Sequence, residues 1–208
     1  MKNPNKGYKK LKSREEKKKR MSKQTLMTIF IAAIMISSIA GFLYMGGGTQ
    51  TSNYNGHKFK LLSNRMWETE VNGVSYYFYY LPEEVQNLNL NPDAYHLLQD
   101  SNAIGLTFNP KDKNIQTIDL LRYDLGISFS QLGKHLEQGM ANNTNPAYTL
   151  PLMTCEDATP EKPVIYIRTS NTTGLNLDGY CAIMEGFGNM DMIAVRDRIL
   201  YQMLGILQ

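Results

Sequence analysis

The chain has 208 residues, a formal net charge of +3, two cysteines, one tryptophan and a hydrophobic content of 42%. The charge is divided rather than spread: residues 1–24 carry 11 Lys or Arg against Glu15 and Glu16, a local +9, and the remainder is acidic at −6. The pI near 8.7 therefore averages two unlike pieces and argues no nucleic-acid partner, since only Tyr8 in the basic stretch could stack on a base.

Residues 1–24 hold too few apolar side chains to bury and are expected to form a disordered basic tail. The run KKLKSREEKKKR reads first as a topogenic signal; attraction to anionic headgroups is the alternative. Thr25–Met45 follows with 21 residues and no charge. A helix of that length covers the ~30 Å hydrocarbon core and satisfies its own backbone there, which predicts a transmembrane helix over 25–45 and makes the lipid bilayer the first expected partner. The basic flank then keeps 1–24 in the cytoplasm and places residues 46–208 outside the cell membrane. Ser38 and Ala40 resemble the small pair ahead of a signal cleavage point, but Phe42, Leu43 and Tyr44 continue the apolar run past it. No Cys stands at the junction after the span to carry a lipid, and Ser22-Lys23-Gln24 stands where a pilin-type terminus has a basic residue and Gly. Ala33, Ser37 and Gly41 recur at four-residue spacing, a face on which two copies of the helix could pair as a homo-oligomer.

GGGTQTSNYN, residues 46–55, reads as a flexible linker. Residues 56–208 suffice for one domain with its own core. From His57 to Leu81 the runs FKLL, MWETEV and VSYYFYYL, the last two joined by Asn72-Gly73, predict a meander or hairpin. Aromatics on both faces of Tyr76–Tyr80 suggest a central strand packed on both sides, with Trp67 across from it. Two short helices are expected at PEEVQNL and over Pro92–Leu98, then a buried strand at AIGLTF, Ala103–Phe108. Ile118, Leu121, Leu125, Phe129, Leu132 and Leu136 repeat at three and four residues, predicting a helix over Ile115–Gln138 that Gly126 and Ser128 could divide. Strands are expected at Ala147–Met153, Pro163–Arg168 and Cys181–Glu185, with a turn at NLDGY. A last helix runs from Asn189, as N-cap, to Leu204; its apolar stripe should dock on the sheet with Arg196, Asp197 and Arg198 mostly off it.

Cys155 and Cys181 fall on the expected outer side, and a disulfide between them is the favoured reading, with free buried thiols as the alternative. Closing that loop stabilises a fold by ~3 kcal/mol on a chain-entropy model. A redox-active pair would prefer C-x-x-C spacing, which is absent. Asn142-Asn143-Thr144 and Asn171-Thr172-Thr173 match the N-glycosylation pattern in polar, turn-like stretches, so Asn142 and Asn171 are candidate modification sites. His57, His96 and His135 lie far apart without metal-ligand spacing; His135 and Glu137, two apart on the expected helix, would point to different faces. GISFS at Gly126 lacks the second Gly of a nucleophile elbow, and Gly186-Phe187-Gly188 only loosely resembles a phosphate loop. Glu156-Asp157, Asp119 and Asp124 read as solvated acids. No catalytic residue, cofactor site or metal site is expected.

LPLMTCEDAT, then PVIYI, GYCAI and RDRILYQMLGIL near the end of the chain resemble a group of uncharacterised archaeal membrane proteins with one amino-terminal span and an outer domain. The resemblance implies an archaeal cell envelope and a single outer globular domain, and supplies no activity. The expected fold is α+β: a transmembrane helix, then one mixed-sheet domain with helices packed on the sheet. The expected function is that of an anchored protein whose outer domain binds or helps assemble another envelope component. An extracytoplasmic enzyme with a site assembled only in three dimensions, and a pilin-like subunit, are the alternatives.

Overall fold

The computed structural model describes residues 22–46 and 50–208, with side chains from 22 to 39 and from 50 onward. Most of the basic tail, residues 47–49 of the expected linker and the surroundings of Gly41 lie outside the described residues. The chain divides into two units, Met1–Gly48 and Thr49–Gln208.

In the first unit, helix α1 (Lys23–Gly46) starts at Ser22, whose Oγ accepts the Thr25 N–H at 3.1 Å. Leu26, Phe30 and Ile36 are exposed, and Ser37 folds its hydroxyl back onto the Ala33 carbonyl. Among the described residues no helix is long and apolar enough to cross a membrane. The described side chains of α1 end at Ile39, short of Met45 where the apolar run stops.

The second unit is built on two sheets. β1 (Thr51–Tyr54), β2 (His57–Leu61), β3 (Trp67–Val71) and β4 (Val74–Phe78) form an antiparallel sheet in chain order. Two Asn-Gly pairs turn it, Asn55-Gly56 at φ 46° and 81° and Asn72-Gly73 at φ 53° and 78°, the positive values a two-residue hairpin turn requires. Residues 51–55, expected to belong to a flexible linker, are strand and turn instead. Thr51–Tyr54 is a strand because Asn55-Gly56 folds it back on β2 and Tyr54 rests on the core. Trp67 pairs across from Phe78 as expected, but β4 is an edge strand rather than a central one: Tyr76 and Phe78 are buried and Tyr77 faces out.

α2 (Pro82–Val85) and α3 (Pro92–Asp100) follow, each with Pro as its first residue. The second sheet joins β5 (Ala103–Phe108), β6 (His135–Gln138), β7 (Val164–Thr169), β8 (Gly174–Asp178) and β9 (Cys181–Gly186) in the order β6-β5-β7-β9-β8. All its pairings are parallel except β8 with β9. The near-continuous apolar run of β5 suits an interior parallel strand covered on both faces. α4 (Ile115–Gln131) passes through Gly126 without a break. It ends at Gly133, φ 74°, so residues expected to continue it become β6 beside β5. Leu136, read there at helical spacing, is half-buried in a strand of alternating exposure. Ala147–Met153 is not a strand: only Leu152 bridges, to Met140, and the segment runs as a strap along the sheet, Tyr148 and Leu150 packing on the main core and Met153 packing with Val164 and Cys181 in a separate cluster.

α5 (Asn189–Met203) occupies the middle of this unit. One side packs on β9 and β8. On the other, the Tyr201 ring stacks on Phe78 at 3.9 Å between centroids and meets Phe59 edge-on at 5.9 Å. A helix between two sheets has no solvent face, and nine of its residues are buried, Arg196, Asp197 and Arg198 among them. The expectation that those three lie off the buried side is corrected here, as is that of a single sheet. The N-cap is Gly188 rather than Asn189, with Asp191 accepting its N–H at 2.9 Å. The mixed α+β class stands.

Candidate functional site

The C-terminal edge of the parallel strands, where open α/β sheets usually bind their ligands, is here tied shut. Asp112 accepts the Thr169 N–H at 2.9 Å and its hydroxyl. Asn145 donates to the Pro110 carbonyl at 3.1 Å. Glu185, its side chain 4% exposed, accepts from Arg168, Thr172 and Asn176 at 2.5–3.0 Å. Burial pushes Glu185 up, but the bonds from Thr172 and Arg168 outweigh it and hold the carboxyl below its ordinary value; Asp112 shows the same balance through Thr169 and the Asn114 N–H. Each of these polar groups is satisfied by a neighbour, so they fix the loops of this edge; beside them a cavity of about 230 Å³ is lined by Lys113, Asn114, Ile115, Gln116 and Asn189.

A different place is open. Between α4 and the free edge of β4 runs a groove of about 250 Å³ lined by Asn64, Met66, Tyr77, Asp124, Ile127 and Gln131, with Ser128 and Arg196 also contributing. Arg196, 3% exposed, donates to the Tyr77 carbonyl at 2.8 Å, to Asp197 at 2.7 Å and to Ser128 Oγ at 3.2 Å, while its Nε finds no protein partner. Asp197, fully buried, accepts the Tyr79 and Tyr80 N–H groups at 2.7 and 2.9 Å. Tyr201 donates to the Tyr80 carbonyl at 2.6 Å. α5 thus grips the backbone leaving β4. Loss of water raises the Asp197 carboxyl against the pull of Arg196 and the two N–H groups.

The groove continues onto the outer side of α4. Leu120, Tyr123 and Ile127 are 39, 66 and 44% exposed and stand three and four residues apart, a continuous stripe opposite the core stripe of Ile118, Leu121, Leu125 and Phe129. Sequence reading took the core stripe and missed this one, although the spacing was there to see. Asp124, beside it, receives only the Tyr79 hydroxyl, at 3.3 Å, whereas Asp119 is engaged by Arg122 and by Tyr148. Burial and that bond to Asp119 raise the Tyr148 hydroxyl to about 12. Both acids, expected to be solvated, hold these contacts at half-exposed positions.

Comparison of the chain with protein-family models, curated proteins and solved structures found no match. The site must therefore be read from its own chemistry.

Cys155 and Cys181 form a disulfide with 5.2 Å between Cα atoms. It joins the one-turn helix Cys155–Asp157, where Asp157 accepts the Thr154 N–H, to the start of β9. The sequons differ: Asn142 is half-buried and hydrogen-bonded, whereas Asn171 is exposed. The histidines stay apart, His57 on β2, His96 on α3 and His135 on β6. His135 and Glu137 share a face after all, because β6 is a strand; their nearest atoms are 3.9 Å apart, at 73 and 45% exposure, and Lys162 also reaches Glu137. That surface trio is no enclosed acid–base site, and among the described residues no group of three His, Cys, Asp or Glu could hold a metal. GISFS lies within α4, where Ser128 serves Arg196 rather than a base. In the groove, then, the Asp124 carboxylate, the Asn64 and Gln131 amides, the Ser128 hydroxyl and the Arg196 guanidinium sit among apolar side chains, an arrangement that can recognise a surface.

Proposed function

We propose that the chain is a single-pass membrane protein whose tail lies in the cytoplasm and whose second unit, on the outside, binds another protein of the cell envelope through the groove and the outer stripe of α4. The observation that carries this reading is the stripe itself. Leu120, Tyr123 and Ile127 form an apolar row along one helix, continuous with a groove holding Met66 and Tyr77. Exposed contiguous apolar surface of this kind marks interaction sites. Among the described residues Asp124 has no ion-pair partner, so the partner fits best as an apolar helix or strand bearing a Lys or Arg opposite that carboxylate.

The outside location is supported by the Cys155–Cys181 bond, which suits an oxidising compartment, and by the basic flank before α1. The exposed Leu26, Phe30 and Ile36 would be poorly placed in water and well placed in lipid. The resemblance to archaeal membrane proteins agrees with an envelope setting.

Protease added to intact cells should digest the second unit and spare a fragment with the tail and span; survival of that unit until the membrane is opened would overturn the topology. A photo-crosslinking residue in place of Tyr123, in native membranes, should capture one envelope protein, and adding Asp124→Lys should abolish the product. A product of the same mass from the same residue at Tyr180, near the disulfide, or one indifferent to Asp124→Lys, would dismiss the stripe as the docking surface.

A further inference from the structure

We infer that Asn171 is an N-glycosylation site of the folded protein and that Asn142, which carries the same three-residue pattern, is not. The inference rests on the outside placement proposed above. The loop between β7 and β8 is held from beneath by the residues flanking Asn171. The Ser170 and Thr172 hydroxyls lie 3.1 Å apart, Ser170 accepts the Thr172 N–H at 3.3 Å, and Thr172 donates to the buried Glu185 at 2.5 Å. With its neighbours tied inward, Asn171 is left exposed, and its amide has no protein partner among the described residues. Thr173 supplies the hydroxyl residue two positions on.

Asn142 is placed oppositely. Its Nδ2, the atom that would carry the sugar, donates to Asn109 Oδ1 at 3.2 Å, and its Oδ1 accepts both the N–H and the hydroxyl of Thr144. The side chain is half-buried against the end of β5. A glycan there would have to be fitted into the half-buried contact with Asn109, whereas one on Asn171 extends into solvent whether added before or after folding.

The donor is an oligosaccharide linked through phosphate to a membrane lipid. Asn171 Nδ2 bonds to the anomeric carbon of the first sugar as the carbon–oxygen bond to phosphate breaks. The lipid phosphate leaves with the bonding electrons, and the amide gives one proton to a base of the host's membrane transferase. No oxidant or reductant is needed.

The test uses full-length protein purified from its native membranes, reduced and alkylated to part the Cys155–Cys181 bond that would otherwise join the two peptides, digested with trypsin and read by mass spectrometry. The Thr169–Arg196 peptide should carry added sugar mass, the peptide containing Asn142 should not, and Asn171→Gln or Thr173→Ala should each bring the intact protein down by the mass of one glycan. Asn142→Gln should leave the mass pattern unchanged. Protease accessibility on intact cells is measured in parallel. If the second unit is outside and the Asn171 peptide is bare, this inference falls while the anchored reading stands; if the unit is inside, both fall. Sugar on Asn142 alone would reverse the assignment.

Discussion

α4 and α5 are neighbouring helices of similar length that treat their side chains in opposite ways. α5 takes Arg196, Asp197 and Arg198 into the interior, and α4 leaves Leu120, Tyr123 and Ile127 in solvent. The difference follows from what surrounds each. α5 lies between two sheets and must bury whatever its sequence carries; its charges are tolerated because Arg196 and Asp197 answer each other and the β4 backbone, and Arg198 holds Gln202 and the carbonyl of Gln208. α4 leaves its outer row uncovered by the described residues, so packing within the unit does not explain why that row is apolar. The same departure from amphipathicity is thus structural in one helix and, on the reading proposed above, a docking surface in the other.

The sharpest way to break this contrast is to remove one charge from α5. Asp197→Ala leaves Arg196 buried without its counter-charge and the Tyr79 and Tyr80 N–H groups without an acceptor, and should cost about 3–5 kcal/mol. Denaturant unfolding of the detergent-solubilised protein measures it. Asp197→Asn retains an acceptor oxygen and should lose less. A cost under about 1 kcal/mol for the alanine variant would mean that the grip on β4 is incidental.

Next in size is the disulfide, which ties the strap to the sheet on the face turned away from α5. Reduction, or Cys155→Ser with Cys181→Ser, should lower stability by about 3 kcal/mol and leave the protein folded, because the main core does not include this cluster. Unchanged unfolding midpoints with and without reductant would show that the strap is held by Met153 and Thr107 alone; the latter donates to the Met153 carbonyl at 2.5 Å.

A smaller effect tests whether the closed sheet edge is as structural as α5. Glu185 has a folded pKa below its ordinary 4.5, so the native state binds fewer protons than the unfolded chain in that window, and the stability it supplies is present above about pH 4.5 and lost as pH falls through the folded value. Glu185→Gln should therefore cost roughly 1–3 kcal/mol at neutral pH, with the gap from the native protein closing on acidification. A gap constant from pH 7 to pH 3 would reject the account.

Much of this architecture was legible because its signals are local. Asn72-Gly73, AIGLTF and the Pro-led helices each carry their own cause. Asn55-Gly56 carried the same turn signal as Asn72-Gly73 but sat in a polar stretch that composition assigned to a linker; only pairing with β2 makes Thr51–Tyr54 a strand. The helix pattern through Leu136 was cut by Gly133, because a parallel strand was needed beside β5. The buried R-D-R of α5 was illegible for a deeper reason: whether a charged triplet faces solvent depends on a second sheet approaching from far along the chain. The outer stripe of α4 failed differently, its spacing visible but masked by a stronger core stripe on the same helix.

The smallest stability effect is the one that decides the comparison. If the outer row of α4 serves a partner and not the fold, Tyr123→Ser and Ile127→Ser should each change unfolding free energy by no more than about 0.5 kcal/mol, as exposed substitutions usually do. Leu121→Ala, one position from the row's first member but fully buried, should cost about 2–5 kcal/mol. Cross-linking from a site beside the groove, such as Gln131, should then fall sharply in the two serine variants while their unfolding curves overlay the native one. Loss of both properties together would make the row part of the core after all. Retention of both would leave the stripe without a role in binding, and the contrast between the two helices would reduce to a difference in packing.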